Sequence, residues 1–256
     1  MTFISDPVFY LIAIPAVVMI GISKGGFAGS LGILGVPLMA LIIPPLQAAA
    51  IILPILCFMD IFGLLAYRKR ADWRNLWYLV PGAIVGIFIG FLLFNHLSPS
   101  FIKILLGAIC IVFTLNHYLR KKPADYKTKA NFYKGSFWGS ISGFTSFVSH
   151  AGGPPLQFYM LPQKIDKTLF VGTSVWFFFI INYAKLVPYG LLGQFSTENL
   201  GTSLALAPLA PFGIWLGIKL HKIIPEVIFY RIAYLLVLVT GGKLLWDGIN
   251  GTFGVF

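Results

Sequence analysis

Gly21-Ile-Ser-Lys24-Gly-Gly26-Phe-Ala-Gly29-Ser-Leu-Gly32-Ile-Leu-Gly35-Val-Pro37 interrupts one apolar run of the chain. Gly139-Ser-Ile-Ser142-Gly143-Phe-Thr-Ser146-Phe-Val-Ser149-His150-Ala-Gly152-Gly153-Pro154-Pro155 interrupts a second. Glycine and proline weaken a helix interior by about 1 and 3 kcal/mol per residue. Only short apolar pieces, 38–43 and 156–161, follow the two stretches before Pro44-Pro45 and Pro162. A helix of about six to eight residues rises only about 9–12 Å, well short of the roughly 30 Å hydrocarbon core of a bilayer. Both stretches therefore read as broken helices or re-entrant segments within a membrane.

The composition sets that solvent. Of 256 residues, 58% are hydrophobic and 11% charged, and the mean hydropathy is +0.86. A water-facing surface needs about a quarter charged residues, so this chain cannot be wet all round. Apolar runs long enough to span recur along it. The first, 7–22, follows Asp6 rather than a basic region and has no small-residue cleavage site, so it is read as part of the mature fold. Cys57 and Cys110 lie in apolar runs without CxxC or zinc-type histidine spacing. They read as small buried hydrophobes, and neither a metal nor a cofactor is expected.

The net charge of +11 does not point to nucleic acid, because fourteen of the nineteen basic residues fall in 68–74, 120–134, 164–167 and 219–222. These are short loops between apolar runs, where cytoplasmic lysine and arginine collect. On that basis 76–94 crosses outward, 101–119 returns, 169–189 crosses outward, 200–219 returns and 227–245 crosses outward. Both termini then lie outside the cytoplasm, in the inner (plasma) membrane of a bacterial type of cell.

The halves repeat. Gly26-Phe27-x7-Gly35-x-Pro37 matches Gly143-Phe144-x7-Gly152-x-Pro154, and Phe58-x-Asp60 aligns with Ile180-x-Asn182. Tyr67 aligns with Tyr189, Asn75-Leu76 with Asn199-Leu200, and Gly82/Gly86 with Gly213/Gly217. The loop after the Asp60 helix is basic, whereas its counterpart after the Asn182 helix, 190–199, has no basic residue. Equivalent loops thus face opposite sides. The expected fold is all-α and polytopic, with two inverted-topology repeats (1–119 and 135–256), a cytoplasmic linker (120–134) and about eight transmembrane helices. Secondary transporters use this architecture to alternate access around a midplane site.

Irregular backbone at membrane depth survives where protein buries it or where it lines a wet cavity, and helix N-termini there attract anions. Close packing through small residues accounts for Gly82/Gly86 and Gly213/Gly217. It accounts less well for breaks that also hold Lys24, Ser149 and His150. At these residues the chain resembles the sulfite exporter TauE/SafE family of sulfur-oxoanion and sulfonate permeases. The resemblance rests on Gly35-Val-Pro37-Leu38, on Gly152-Gly153-Pro154-Pro155-Leu156, and on Lys167-x4-Gly172-Thr173-Ser174 followed by Ile181-Asn182-x-x-Lys185. It covers essentially the whole chain. The family's glycine triplets are denser, and Ser149-His150 stands where a glycine would be common.

Charge inside the membrane is costly and marks function by default. Lys103, Arg231 and Lys243 sit near segment ends and can snorkel to the headgroups. His96, His117 and His221 read as interfacial. Lys24 lies in the first break and Lys185 well inside a span, with Asn182 three residues earlier on the same helix face. The candidate substrate site is Lys24, Gly25, Gly26, Gly29, Gly32, Gly35, Ser149, His150, Gly152, Gly153, Thr173, Asn182 and Lys185. Asp60, the one carboxylate within a span, and His150 are candidates for an internal ion pair or a coupling proton.

More buried basic than acidic groups suit an anion. Phosphate would favour arginine forks, and no arginine lies deep in an apolar run. The function expected is secondary transport of a small sulfur oxoanion or organosulfonate, with protons as the coupling ion and lipid as the surrounding partner. The GxxxxGK[ST] phosphate loop, HExxH and paired catalytic carboxylates are all missing from the sequence. An intramembrane enzyme using Ser146, Ser149 and His150, and a passive anion channel, are the alternatives.

Overall fold

The structure, a computed structural model, describes residues 2–26, 32–119, 127–223 and 226–253. Among these residues there are helices and no strands. The first half runs α1 (Pro7–Gly26), α2 (Gly35–Met39), α3 (Pro45–Tyr67), α4 (Trp73–Leu93) and α5 (Pro99–Leu119). The second runs α6 (Phe132–Ser149), α7 (Gly153–Met160), α8 (Lys167–Leu191), α9 (Thr197–Leu206), α10 (Leu209–Ile223) and α11 (Glu226–Phe253).

Polar caps set several starts. Asp72 accepts from the Asn75 backbone N–H, Asn131 from Lys134, Asp166 from Thr168 and Leu169, and Ser196 from Asn199. Each satisfies donors that the first turn leaves free. Pro45 opens α3, where its missing N–H costs nothing.

Among the described residues four helices are long and apolar enough to cross a bilayer: α1, α3, Trp73–His96 and Thr168–Leu191. The count becomes five if α9 and Leu209–Leu220, bent by 42°, make one span. The expected crossing over 200–219 is thus bent within its length. Pro208 follows Ala207 at the break, and proline removes a helix hydrogen bond and clashes with the preceding turn.

Packing pairs α4 with α6, α1 with α10, α5 with α11, and α3 with α8. Bare glycine backbone makes the first two possible. A Cβ on Gly82 or Gly86 would strike the carbonyls of Ser136 and Ser140 on α6, and one on Gly143 would strike the Ala83 carbonyl. Across the other crossing Gly217 meets Ile22, and Gly21 meets Gly213. The GxxxG pairs thus pack as the sequence suggests. The breaks, however, are narrower than the glycine pattern implies. Gly21, Gly25, Gly139 and Gly143 lie inside α1 and α6 and serve helix packing.

The bundle buries a polar cluster within a largely apolar core and exposes apolar side chains. Leu11, Trp77, Tyr133 and Leu191 are all more than 70% exposed, whereas Lys24, Asp60, Asn182 and Lys185 are buried. Cys57 and Cys110 are also buried. Lys243 is exposed and pairs with Asp247 one turn on, at 3.0 Å.

Candidate functional site

Both first helices end at the centre. The last residue of α1 is Gly26, and the chain is next described at Gly32, so Gly29 lies outside the described residues. The Gly32 N–H donates to Ser23 Oγ at 3.2 Å, which ties the start of the short α2 segment back to α1. α6 ends at Ser149, and His150 turns the chain with φ 56° and ψ 22°. Its N–H returns to the Ser146 carbonyl at 3.0 Å, and the Ala151 N–H returns to Thr145 at 3.2 Å. These bonds satisfy carbonyls that the end of a helix leaves free. α7 then begins with Gly153-Pro154-Pro155. The prolines have no N–H, so this N-terminus offers fewer backbone donors than the glycine-rich sequence suggests.

Two clusters of polar side chains meet here. In the first, Lys24 Nζ forms a short ion pair with Asp60 Oδ1 and also donates to the Leu56 carbonyl at 3.3 Å. Asn182 Nδ2 donates to the other carboxylate oxygen, Oδ2, at 2.7 Å. In the second, Lys185 Nζ lies 3.0 Å from the Ser146 carbonyl, 2.9 Å from Ser146 Oγ and 2.8 Å from His150 Nδ1. His150 Nε2 lies 2.9 Å from the Ala49 carbonyl. A carbonyl only accepts, so Nε2 carries a proton. Nδ1 is then the acceptor facing the lysine, and the imidazole is neutral.

Lys185 is 0% exposed and has no carboxylate partner among the described residues. Its ammonium donates to three neutral acceptors. With Lys24, Asp60 and Lys185 in their ordinary charge states, the first two cancel and the centre holds one positive charge in excess. A buried charge without a counter-charge is expensive. A cavity of about 30 Å³ adjoins both clusters and is lined by Lys24, Gly32, Ser146, His150, Gly153 and Asn182, with Phe178 and Ile52 among its apolar walls. That volume is about one water's share of liquid, less than a tetrahedral oxoanion needs. A smaller cavity, about 10 Å³, lies on the other side of the ion pair against Asp60, Gly63 and Ser174.

Asn182 and Lys185 share a face of α8, as their spacing requires, but they serve different partners. The amide is held by Asp60, and the ammonium by Ser146 and His150. Asp60 pairs with Lys24. Gly32, His150 and Gly153 line the cavity. Other expected site residues lie elsewhere. Gly25 packs on the Ile214 backbone, where a Cβ would not fit, and Gly35 packs on the Ile20 side chain. Gly26 is buried at the end of α1, and Gly152 receives a hydrogen bond from Ser142 Oγ at 2.7 Å. Ser149 Oγ turns back to the Thr145 carbonyl at 3.0 Å. Thr173 accepts the Asp72 N–H at 2.8 Å and so anchors the loop before α4 to α8. Ser146 is the polar cavity residue missing from the expected site, and Ile20, Ile52, Leu56 and Phe178 are apolar ones. The signal for Ser146 is the i, i+4 spacing to His150, which stacks the two on one face.

Tyrosines brace the two helix ends. Tyr67 donates to the Gly25 carbonyl at 2.9 Å, and Tyr189 to the Phe147 carbonyl at 2.6 Å. Tyr189 also stacks on His150, with ring centroids 6.3 Å apart.

Membrane-length apolar helices around a buried ionic centre define a polytopic membrane protein. The family model for sulfite exporter TauE/SafE matches residues 13–244, and the chain belongs to that family. Its members are membrane transporters of sulfur anions. No curated protein and no solved structure matches the chain.

Proposed function

We propose that this protein is a secondary transporter of a small sulfur oxoanion or organosulfonate. The anion binds between Lys185, Ser146 and His150, with Lys24 and Asn182 facing the same cavity. The observation that carries this reading is the Lys185 ammonium. It is fully buried, lacks a carboxylate partner among the described residues, and is hydrogen-bonded to Ser146 and His150, which share the wall of a small cavity with Lys24 and Asn182. A bound anion would supply the missing counter-charge.

The architecture proposed is two inverted repeats, 1–119 and 135–256, joined by a cytoplasmic linker at 120–134, with about eight spans and both termini outside. The helix pairing supports it. α4 of the first half packs on α6 of the second, and α1 on α10, so each half's opening helix meets the same partner in the other half. α3 and α8, the helices of the aligned Asp60 and Asn182, pair with each other. Alternating access then proceeds by one repeat moving against the other around the centre. Protons are the coupling ion proposed, carried at His150 or through the Lys24–Asp60 pair, in the inner membrane of a bacterial type of cell.

The test is flux of labelled sulfite into vesicles reconstituted with wild type, Lys185→Ala or Lys24→Ala protein, each checked for folding by size-exclusion profile. The expected result is loss of flux in both variants. Wild-type flux in both would remove these residues from the site.

The Ser146 Oγ–Lys185 Nζ separation of 2.9 Å also has the geometry of a nucleophile and base. Against that reading, the ammonium donates in three directions and leaves no lone pair for the serine proton. Labelling of Ser146 by a serine-directed phosphonate would reverse this judgement.

A further inference from the structure

The charges of the centre carry a consequence for which anions fit. Lys24, Asp60 and His150 are the charged or titratable groups on the cavity walls, and Lys185 joins them through its hydrogen bonds to Ser146 and His150. His150 is neutral by its hydrogen bonds. Cys57, Tyr183 and Tyr189 around them are a thiol and two phenols, neutral at ordinary pH. The sum is two positive charges and one negative. A low-dielectric interior penalises any residual charge. One singly charged anion brings the sum to zero, whereas a doubly charged anion leaves one negative charge without a partner.

We propose that the site selects by charge, taking singly charged tetrahedral anions such as sulfonates or hydrogensulfite ahead of dianions, and that Asp60 sets this preference. Asp60 does so without touching the anion. Both of its oxygens are occupied, one by Lys24 and the other by Asn182. It acts by cancelling Lys24. Without it, Lys24 and Lys185 together match a dianion. This inference rests on the anion site proposed above.

Methanesulfonate and sulfate are nearly the same shape and differ by one charge, which makes them the probes. Their binding is read as stabilisation of the purified detergent-solubilised protein against heating, titrated at neutral pH and constant ionic strength. Wild type is expected to bind methanesulfonate about tenfold or more tighter than sulfate, and the effect of either anion is lost in Lys185→Met. Asp60→Asn raises the centre to two positive charges and is expected to reverse the order. Lys24→Met/Asp60→Asn returns it to one and restores the wild-type order.

Equal binding of both anions, each dependent on Lys185, would overturn charge selection and leave the anion site standing. Binding of neither, or binding indifferent to Lys185→Met, would overturn the site itself. Should Asp60→Asn alone fail to fold with two lysines unpaired, the wild-type ranking and the double variant still decide. An unchanged order in a folded Asp60→Asn also refutes the inference.

Discussion

Lys185 and His150 hold each other in one protonation pattern: Nζ stands 2.8 Å from Nδ1, and the ring's opposite nitrogen is fixed on the Ala49 carbonyl at 2.9 Å. A proton added to the ring would turn Nδ1 into a donor and set two cations against each other. The lysine would then have to leave its place between α6 and α8. One proton at His150 therefore changes both the charge of the centre and the contact between two helices. Removing the acceptor tests the bond. His150→Leu should cost about 1–3 kcal/mol in unfolding experiments, because a buried donor loses its partner. His150→Gln, whose amide oxygen can accept, should cost less.

The Lys24–Asp60 pair should show strong coupling. Breaking a buried pair from one side costs about 3–5 kcal/mol, because the other charge remains unpaired. Lys24→Met and Asp60→Leu should each be severe, while the double variant recovers much of the loss. A double-mutant cycle in detergent that gives simple additivity would refute the pairing.

The tyrosine brace at Phe147 offers a milder test. Tyr189→Phe keeps the ring and loses only the hydroxyl's bond to the carbonyl, so it should lower stability by about 1 kcal/mol. Loosening the end of α6 should also open the centre. In a Cys110→Ala background Cys57, 7% exposed beside the site, is the chain's one thiol. Its labelling by N-ethylmaleimide should quicken in Tyr189→Phe and slow again when methanesulfonate binds.

Glycines at the crossings and glycines elsewhere should respond in opposite ways. Gly86→Ala drives a Cβ into the Ser140 carbonyl and should cost about 1–3 kcal/mol through overpacking. Gly242→Ala meets nothing within 4 Å inside α11. It should be neutral or stabilising by up to about 1 kcal/mol. Melting curves of the two variants decide whether the crossings are as close as the backbone indicates.

Much of this molecule is legible in its sequence. Apolar runs separated by basic loops announce the helices, and Lys24, Asp60 and Lys185 stand out because charge is rare in such runs. The extent of the breaks was harder to read. A glycine that admits a neighbouring helix and a glycine that ends one look alike along a chain. Gly25 and Gly143 turned out to be of the first kind, whereas His150, not a glycine, makes the turn. Nor does sequence say which lysine takes Asp60. Lys24 is 36 positions from it and Asn182 is 122, and only the placement of α1 and α8 beside α3 decides the partners.

His150 occupies a left-handed helix end, with φ 56°. For a residue with a Cβ that conformation costs about 1–2 kcal/mol relative to glycine, and glycine is the usual occupant of such a position. Backbone preference and side-chain chemistry therefore ask for different amino acids at one position, and in this chain the imidazole prevails. Exchange of histidine for glycine would relieve the backbone while stripping the lysine of its aromatic neighbour.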